Sequence, residues 1–158
     1  MRPSRQASDT RSAREIALAL LARREHSRSE LRAKLVSRGV EALAIDALLE
    51  ELSAEQLQSD ARFAESYVHA RRARGFGPVR IRLELQRRSV DESLIEDYLD
   101  GRAGGWDDLM RAQYRKRFGD RPVDSYAERA RRGRFLQQRG FSNEMIGRLL
   151  NDVDRRLD

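Results

Sequence analysis

The chain has no cysteine, which removes disulfides, thiol nucleophiles and thiolate metal sites from consideration. Only three prolines and ten glycines interrupt its 158 residues. No apolar run approaches the roughly 20 residues that cross a bilayer, and the opening Arg2-Pro3-Ser4-Arg5-Gln6 lacks the apolar core of a secretory signal. A soluble, cytoplasmic protein with no membrane association is therefore expected. Lysine is nearly absent as well: every basic residue except Lys34 and Lys116 is arginine. Arginine binds phosphate and carboxylate bidentately and stacks on bases. A genome rich in G and C gives the same bias, so the ratio alone assigns nothing.

What is present is a repeat. The pattern Leu31, Leu35, Arg38, Gly39, Val40, Ile45, Leu48, Leu49 returns as Ile81, Leu85, Arg88, Ser89, Val90, Ile95, Tyr98, Leu99. It returns once more as Arg132, Leu136, Arg139, Gly140, Phe141, Ile146, Leu149, Leu150. A fixed period of this size signals stacked copies of one supersecondary unit. Hydrophobic residues are 39% of the chain, many of them alanine, and charged residues 37%. So thin a core suits a chain of small bundles, and runs of Ala, Leu, Glu and Arg favour helix. The expected fold is all-α, an elongated array of three tandem three-helix repeats, nine helices in all.

Capping signals set the boundaries. Ser12 with Glu15 and Ser27 with Glu30 have the spacing of capping boxes. Pro78 suits the first position of a fifth helix, Asp91 and Ser142 suit N-caps, and Gly39 and Gly140 suit left-handed helix ends. Residues 1–11 read as a disordered basic tail and 12–58 as the first repeat. Residues 59–100 read as the second repeat, 101–105 as a flexible linker and 106–158 as the third repeat. Arg132 stands where the other repeats carry leucine and isoleucine. It is expected to mark a terminal capping unit and to add to a basic surface.

No catalytic constellation emerges. Gly75-Phe76-Gly77-Pro78 lacks the spacing and lysine of a phosphate-binding loop. His26 reads as a solvent-facing turn residue and His69 as lying on the flank of helix four, neither with a second metal ligand nearby. No enzyme activity, cofactor or metal is expected.

Charge carries the functional signal. The net charge is +6. Acids cluster at Glu41, Asp46, Glu50, Glu51, Glu55 and Asp60 with no basic residue among them. Arg71, Arg72, Arg74, Arg80, Arg82, Arg87 and Arg88 face one acid in that stretch, Glu84, so their charge reads as uncompensated. Together with Arg115, Lys116, Arg131, Arg132 and Arg134 they are the expected binding surface for an acidic protein face or phosphates. Gly77 and Pro78 form the turn beside it. Phe76 either stacks on a base or plugs the junction of helices four and five. Trp106, Tyr67, Tyr98 and Tyr114 read as core. Helices two and three, or five and six, have the order of a helix-turn-helix, which makes a general helical DNA-binding protein the alternative. Acids on helices three and six would repel DNA and weigh against it. A helical adaptor without any link to DNA is the third reading.

Ser59-Asp60-Ala61-Arg62-Phe63-Ala64, Arg74-Gly75-Phe76-Gly77-Pro78, and Ile81, Leu85 and Val90 resemble the RecX family of bacterial regulators of the RecA recombinase. So do His26-Ser27-Arg28-Ser29-Glu30-Leu31 with Leu35, and Phe135-Leu136 with Arg139-Gly140-Phe141. The likeness runs from about residue 12 to 157. It departs at Ser59, where the family commonly has an acid, and at Ser89, where it commonly has glycine. The resemblance implies an all-helical array of three-helix repeats without catalysis or cofactor; a monomer is expected. Such a protein binds RecA and its single-stranded DNA filament and mainly inhibits recombinase, ATPase and coprotease activities; weak direct DNA binding is expected of the basic surface. That places it in homologous recombination, DNA repair and the SOS response.

Overall fold

The computed structural model describes residues 5–101 and 104–155, with side chains described from residue 12. Among the described residues there are nine α-helices and no strand. They are α1 (Arg5–Arg23), α2 (Arg28–Ser37), α3 (Ala42–Ala54), α4 (Asp60–Ala73), α5 (Pro78–Gln86), α6 (Glu92–Glu96), α7 (Trp106–Phe118), α8 (Tyr126–Arg139) and α9 (Asn143–Arg155). α6 runs straight into a π-helical turn, Asp97–Gly101. Trp106 Nε1 donates to one carbonyl of that turn, Leu99 O, at 3.0 Å.

Local chemistry explains most helix ends. Ser27 and Glu30 form a reciprocal capping box on α2. Ser59 Oγ accepts from Arg62 N at 3.2 Å at the start of α4, so serine replaces the family's commoner acid without loss of the cap. Ser125 caps α8 and Ser142 caps α9 in the same way. Gly39 and Gly140 close their helices at φ 80° and 98°, the left-handed conformation that costs glycine nothing. Ser89 holds the equivalent position at φ 55°. There a Cβ is strained. The Ser12–Glu15 pair lies inside α1 rather than at its start, because α1 is already helical from Arg5. Residues 1–4 of the expected tail, and 102–103 of the expected linker, lie outside the described residues.

Repeat positions coincide with burial. Leu31 and Ile81 are fully buried, as are Leu35, Leu85 and Leu136, and Ile45 and Ile95; Ile146 is nearly so. Each such side chain contributes about 2 kcal/mol relative to leaving it in water.

The chain divides into two compact units, Met1–Ser66 with Gln86–Leu94, and Tyr67–Leu85 with Ile95–Asp158. The first unit holds a core of Ala13, Ala17, Leu20, Leu31, Leu35, Ile45, Leu48, Leu49 and Leu52. The second holds one of Met110, Tyr114, Phe118, Leu136, Phe141, Ile146, Leu149 and Leu150. Tyr114 is core as expected, whereas Tyr67, Tyr98 and Trp106 are half-buried.

Candidate functional site: an arginine-rich docking surface

Within the second unit, the Gly75–Pro78 turn brings α4, α5 and the end of α8 together. Gly77 N–H donates to Arg139 O at 2.8 Å, and Val79 N–H donates to Gly140 O at 2.9 Å. The free amides that open α5 thus satisfy the free carbonyls that close α8. The approach is close enough that a Cβ at Gly77 would fall 2.5 Å from Gly140 O, and one at Gly140 would overlap Arg80 Cβ.

Above this seam lies Phe76. The guanidinium carbons of Arg71, Arg80 and Arg139 stand 4.0, 4.2 and 5.1 Å from its ring centroid. The ring is occupied by the protein's own cations, which fits a plug between helices better than a platform for a base. Glu84 ties the cluster down. It accepts from Arg71 at 2.6 and 2.8 Å, from Arg80 at 3.1 Å and from Tyr67 Oη at 2.9 Å. Burial opposes ionisation of Glu84, but the bonds from Arg71, Tyr67 and Arg80 outweigh it and hold the carboxyl below its usual range. Arg139, absent from the expected set, completes the cluster by donating to Arg74 O at 3.1 Å. Nearby, Arg72 lies 4.2 Å from the Trp106 ring and donates to Gly104 O at 2.7 Å.

The basic stretch on and after α5 is compensated at every arginine but Arg87, contrary to expectation. Arg82 pairs with Asp100 at 2.8 Å, and in the first unit Arg88 pairs with Glu30 at 3.2 Å. These carboxylates are remote in sequence, so counting neighbours along the chain misses them.

Arg132 also departs from expectation. It is 2% exposed and belongs to the core, not to a basic surface. It fills the place of Leu31 and Ile81 and finds a partner for each part of its guanidinium. Nε donates to Glu128 at 2.7 Å, Nη1 to Tyr114 Oη at 2.5 Å and Arg121 O at 2.9 Å, and Nη2 to Pro122 O at 3.0 Å. Arg131, on the outside of α8, grips the other side of Glu128 at 2.8 Å. Bonds from Arg131 first, then Arg132, lower the Glu128 pKa to about 2.

The cations that remain available are therefore a smaller set. Arg74, Arg115, Lys116 and Arg134 in the second unit, and Arg87 in the first, are exposed and form no ion pair among the described residues. Arg117, beside Lys116 at the end of α7, joins them.

His26 is not a solvent-facing turn residue. It is 1% exposed; Nδ1 lies 3.0 Å from Arg24 O, Nε2 lies 2.9 Å from Lys34 Nζ, and the His26 carbonyl accepts from Gln58. His69 is exposed on α4. Among the described residues no three of His, Cys, Asp and Glu are placed to hold a metal, and no helix is long and apolar enough to cross a membrane.

The fold and this surface define an all-helical tandem-repeat protein rich in exposed arginine. Family models for the first, second and third three-helix domains of RecX match residues 13–52, 59–99 and 107–150 in order. A protein of Pseudomonas savastanoi pv. phaseolicola named Regulatory protein RecX is 46% identical over 139 residues, covering 87% of this chain and 89% of its own. One of the same name from Chromohalobacter salexigens is 46% identical over 133 residues, covering 84% and 87%. The crystal structure of RecX from Lactobacillus salivarius aligns with a TM-score of 0.75 at 25% identity, over 94% of this chain and 98% of that one. A second crystal structure, of a regulatory protein RecX, shares the fold with a TM-score of 0.77 at 22% identity, over 93% and 73%. The chain belongs to the RecX family of regulatory proteins.

Proposed function

We propose that this protein regulates RecA, chiefly as an inhibitor, by binding RecA and its single-stranded DNA filament. It thereby modulates recombination, repair and coprotease activity in the cytoplasm. Family membership supports the RecA context. The observation that carries the binding is a group of exposed cations without internal partners among the described residues of the second unit, which includes Arg74, Arg115, Lys116, Arg117 and Arg134. These can meet phosphates or acidic protein without first breaking an internal pair. The paired Arg71, Arg80 and Arg82, by contrast, hold the scaffold in place. The protein acts as a monomer, with no catalysis and no cofactor, and its direct affinity for DNA alone is weak.

Phosphate contacts make the effect dependent on salt: each one neutralised on single-stranded DNA adds about −0.7 to the log–log slope. The test is RecA ATPase and strand exchange with substoichiometric protein. Inhibition at low salt that fades as salt rises, and that the reversal R115E/K116E/R117E/R134E abolishes, supports the proposal. No change in either RecA activity at low salt refutes it. Tight duplex binding without any effect on RecA favours instead a general DNA-binding protein, since the same free cations suit phosphate equally well.

A further inference from the structure

A cleft of 390 Å³ opens in the first unit, where the loop after α3 meets the starts of α2 and α4. Gln58 forms part of its wall, although the residue is only 4% exposed. Gln58 Nε2 donates to Asp60 Oδ1 at 2.9 Å and to the His26 carbonyl at 3.3 Å. Both partners are acceptors, which fixes the nitrogen end of the amide. Oε1 therefore points the other way, and no group among the described residues donates to it. No fully enclosed side-chain nitrogen or oxygen lacks a partner among the described residues, so Oε1 opens onto the cleft.

Asp60 lines the same cleft and is half-satisfied too. Its Oδ1 also accepts from Arg28 N–H at 2.8 Å, but Oδ2 has no donor among the described residues. The two arginines at the rim do not supply one. Arg28 is drawn to Glu50 at 2.7 Å, and Arg62 to Glu25 at 2.9 Å and to Gln56 O at 2.8 Å. Those pairings neutralise both arginines and leave Asp60 as the uncompensated charge of the cleft. An amide oxygen and a carboxylate oxygen, both unpaired, call for a cation with several donors on a small head. Guanidinium binds best where a carboxylate offers both oxygens, and here Oδ1 is already taken twice. An ammonium needs only one oxygen from each partner. Ala61 and Leu94 complete the lining and give its methylene stem an apolar wall.

Resting on the RecA reading above, we infer that this cleft takes a lysine side chain presented by a protein subunit of the filament. The lysine ammonium donates to Gln58 Oε1 and Asp60 Oδ2. The contact is made by other residues than the free cations Arg115, Lys116 and Arg117, and its charge runs the opposite way: here the partner brings the cation.

The test is D60N in the full chain. Asparagine keeps an acceptor for Arg28 N–H and Gln58 Nε2 but turns an NH2 group into the cleft in place of Oδ2. S53K is a second variant, which hangs an ammonium of the chain's own from the exposed end of α3 at the cleft's edge. Helical circular dichroism should match wild type for both. In nitrogen-15 NMR of wild type, butylammonium should shift the Gln58 side-chain amide saturably. Tetramethylammonium, which has no N–H, and magnesium should not, and the butylammonium shift should vanish in D60N. Affinity for RecA without DNA should fall fivefold or more in both variants. Affinity of D60N for a single-stranded oligonucleotide without RecA should stay within twofold. No saturable shift, or an equal one with tetramethylammonium or magnesium, overturns the inference. So does D60N with RecA affinity within twofold of wild type, which assigns the cleft to free amines and leaves the RecA reading intact. Where D60N loses helicity, S53K decides alone on the same RecA criterion. Wild type that fails to bind RecA at all removes the proposed function, and this inference with it.

Discussion

Replacing Arg132 separates two roles that its position combines. The side chain is 2% exposed, and its donors serve Glu128, Tyr114 Oη and the carbonyls of Arg121 and Pro122. Truncation in R132A opens a cavity and takes a donor from Tyr114 Oη, while Glu128 keeps its bonds from Arg131. Emptying a core position of this size costs about 2–5 kcal/mol. R132L behaves differently. Leucine fills the space as Leu31 does in the first repeat, and the carbonyls of Arg121 and Pro122 belong to exposed residues that water can reach. The remaining loss is a hydrogen bond or two, about 1–2 kcal/mol. Trp106, the single tryptophan, starts α7, which packs on α8, so its fluorescence reports this region. With denaturant slopes of about 1–3 kcal/mol per molar urea, R132A should lower the unfolding midpoint by roughly 1–3 M and R132L by well under half as much. An R132A variant within about 1 kcal/mol of wild type would refute the reasoning. R132L as damaging as R132A would show that charge, rather than filled volume, is what the site requires.

Two further outcomes follow from strained or buried groups. Ser89→Gly should raise the thermal midpoint by a few degrees, about 0.5–1 kcal/mol, because φ 55° suits glycine as it does at Gly39 and Gly140; a lower midpoint in calorimetry contradicts this. Burial first, then Arg24 and Lys34, depress the His26 pKa against the bond to Arg24 O and the charge of Glu30. Unfolded His26 therefore takes up a proton before the folded form does. Stability is complete above pH 6.5 and declines as the pH falls below it, levelling off beneath the folded pKa. Proton NMR of the two histidines checks this, and a His26 midpoint at or above 6.5 counts against it.

Apolar periodicity and capping residues made the helical repeats legible, since Leu31, Leu35, Ile45 and their copies can be buried only one way on a 3.6-residue period. Ser27, Ser142, Pro78, Gly39 and Gly140 announced their roles through local chemistry alone. The surface was harder to read. Charge along the chain overstated what is available, because Asp100 and Glu30 arrive from distant sequence to neutralise Arg82 and Arg88. Arg132 was misassigned because a buried arginine depends on partners that only tertiary structure supplies. His26 was misassigned for the same reason, its partners being Lys34 on the next helix and a backbone carbonyl. Arg139 sat in the repeat pattern, yet only the seam with α5 reveals that it contacts Phe76. The π-helical turn at Asp97–Gly101 has no sequence signal that periodicity can detect.

The seam between α5 and α8 bears on how chains of this kind diverge. Two of its hydrogen bonds join main-chain groups, Gly77 and Val79 to Arg139 and Gly140, and these do not depend on the identity of the side chains around them. Mutations can repaint the surface on both sides, altering charge, polarity and partner preference, while the angle between the two helices is inherited unchanged. Gly77 and Gly140 are locked, because a Cβ at either would clash across the seam. A lineage can thus acquire new affinities at small cost to its framework, and the framework's geometry outlasts any particular set of contacts.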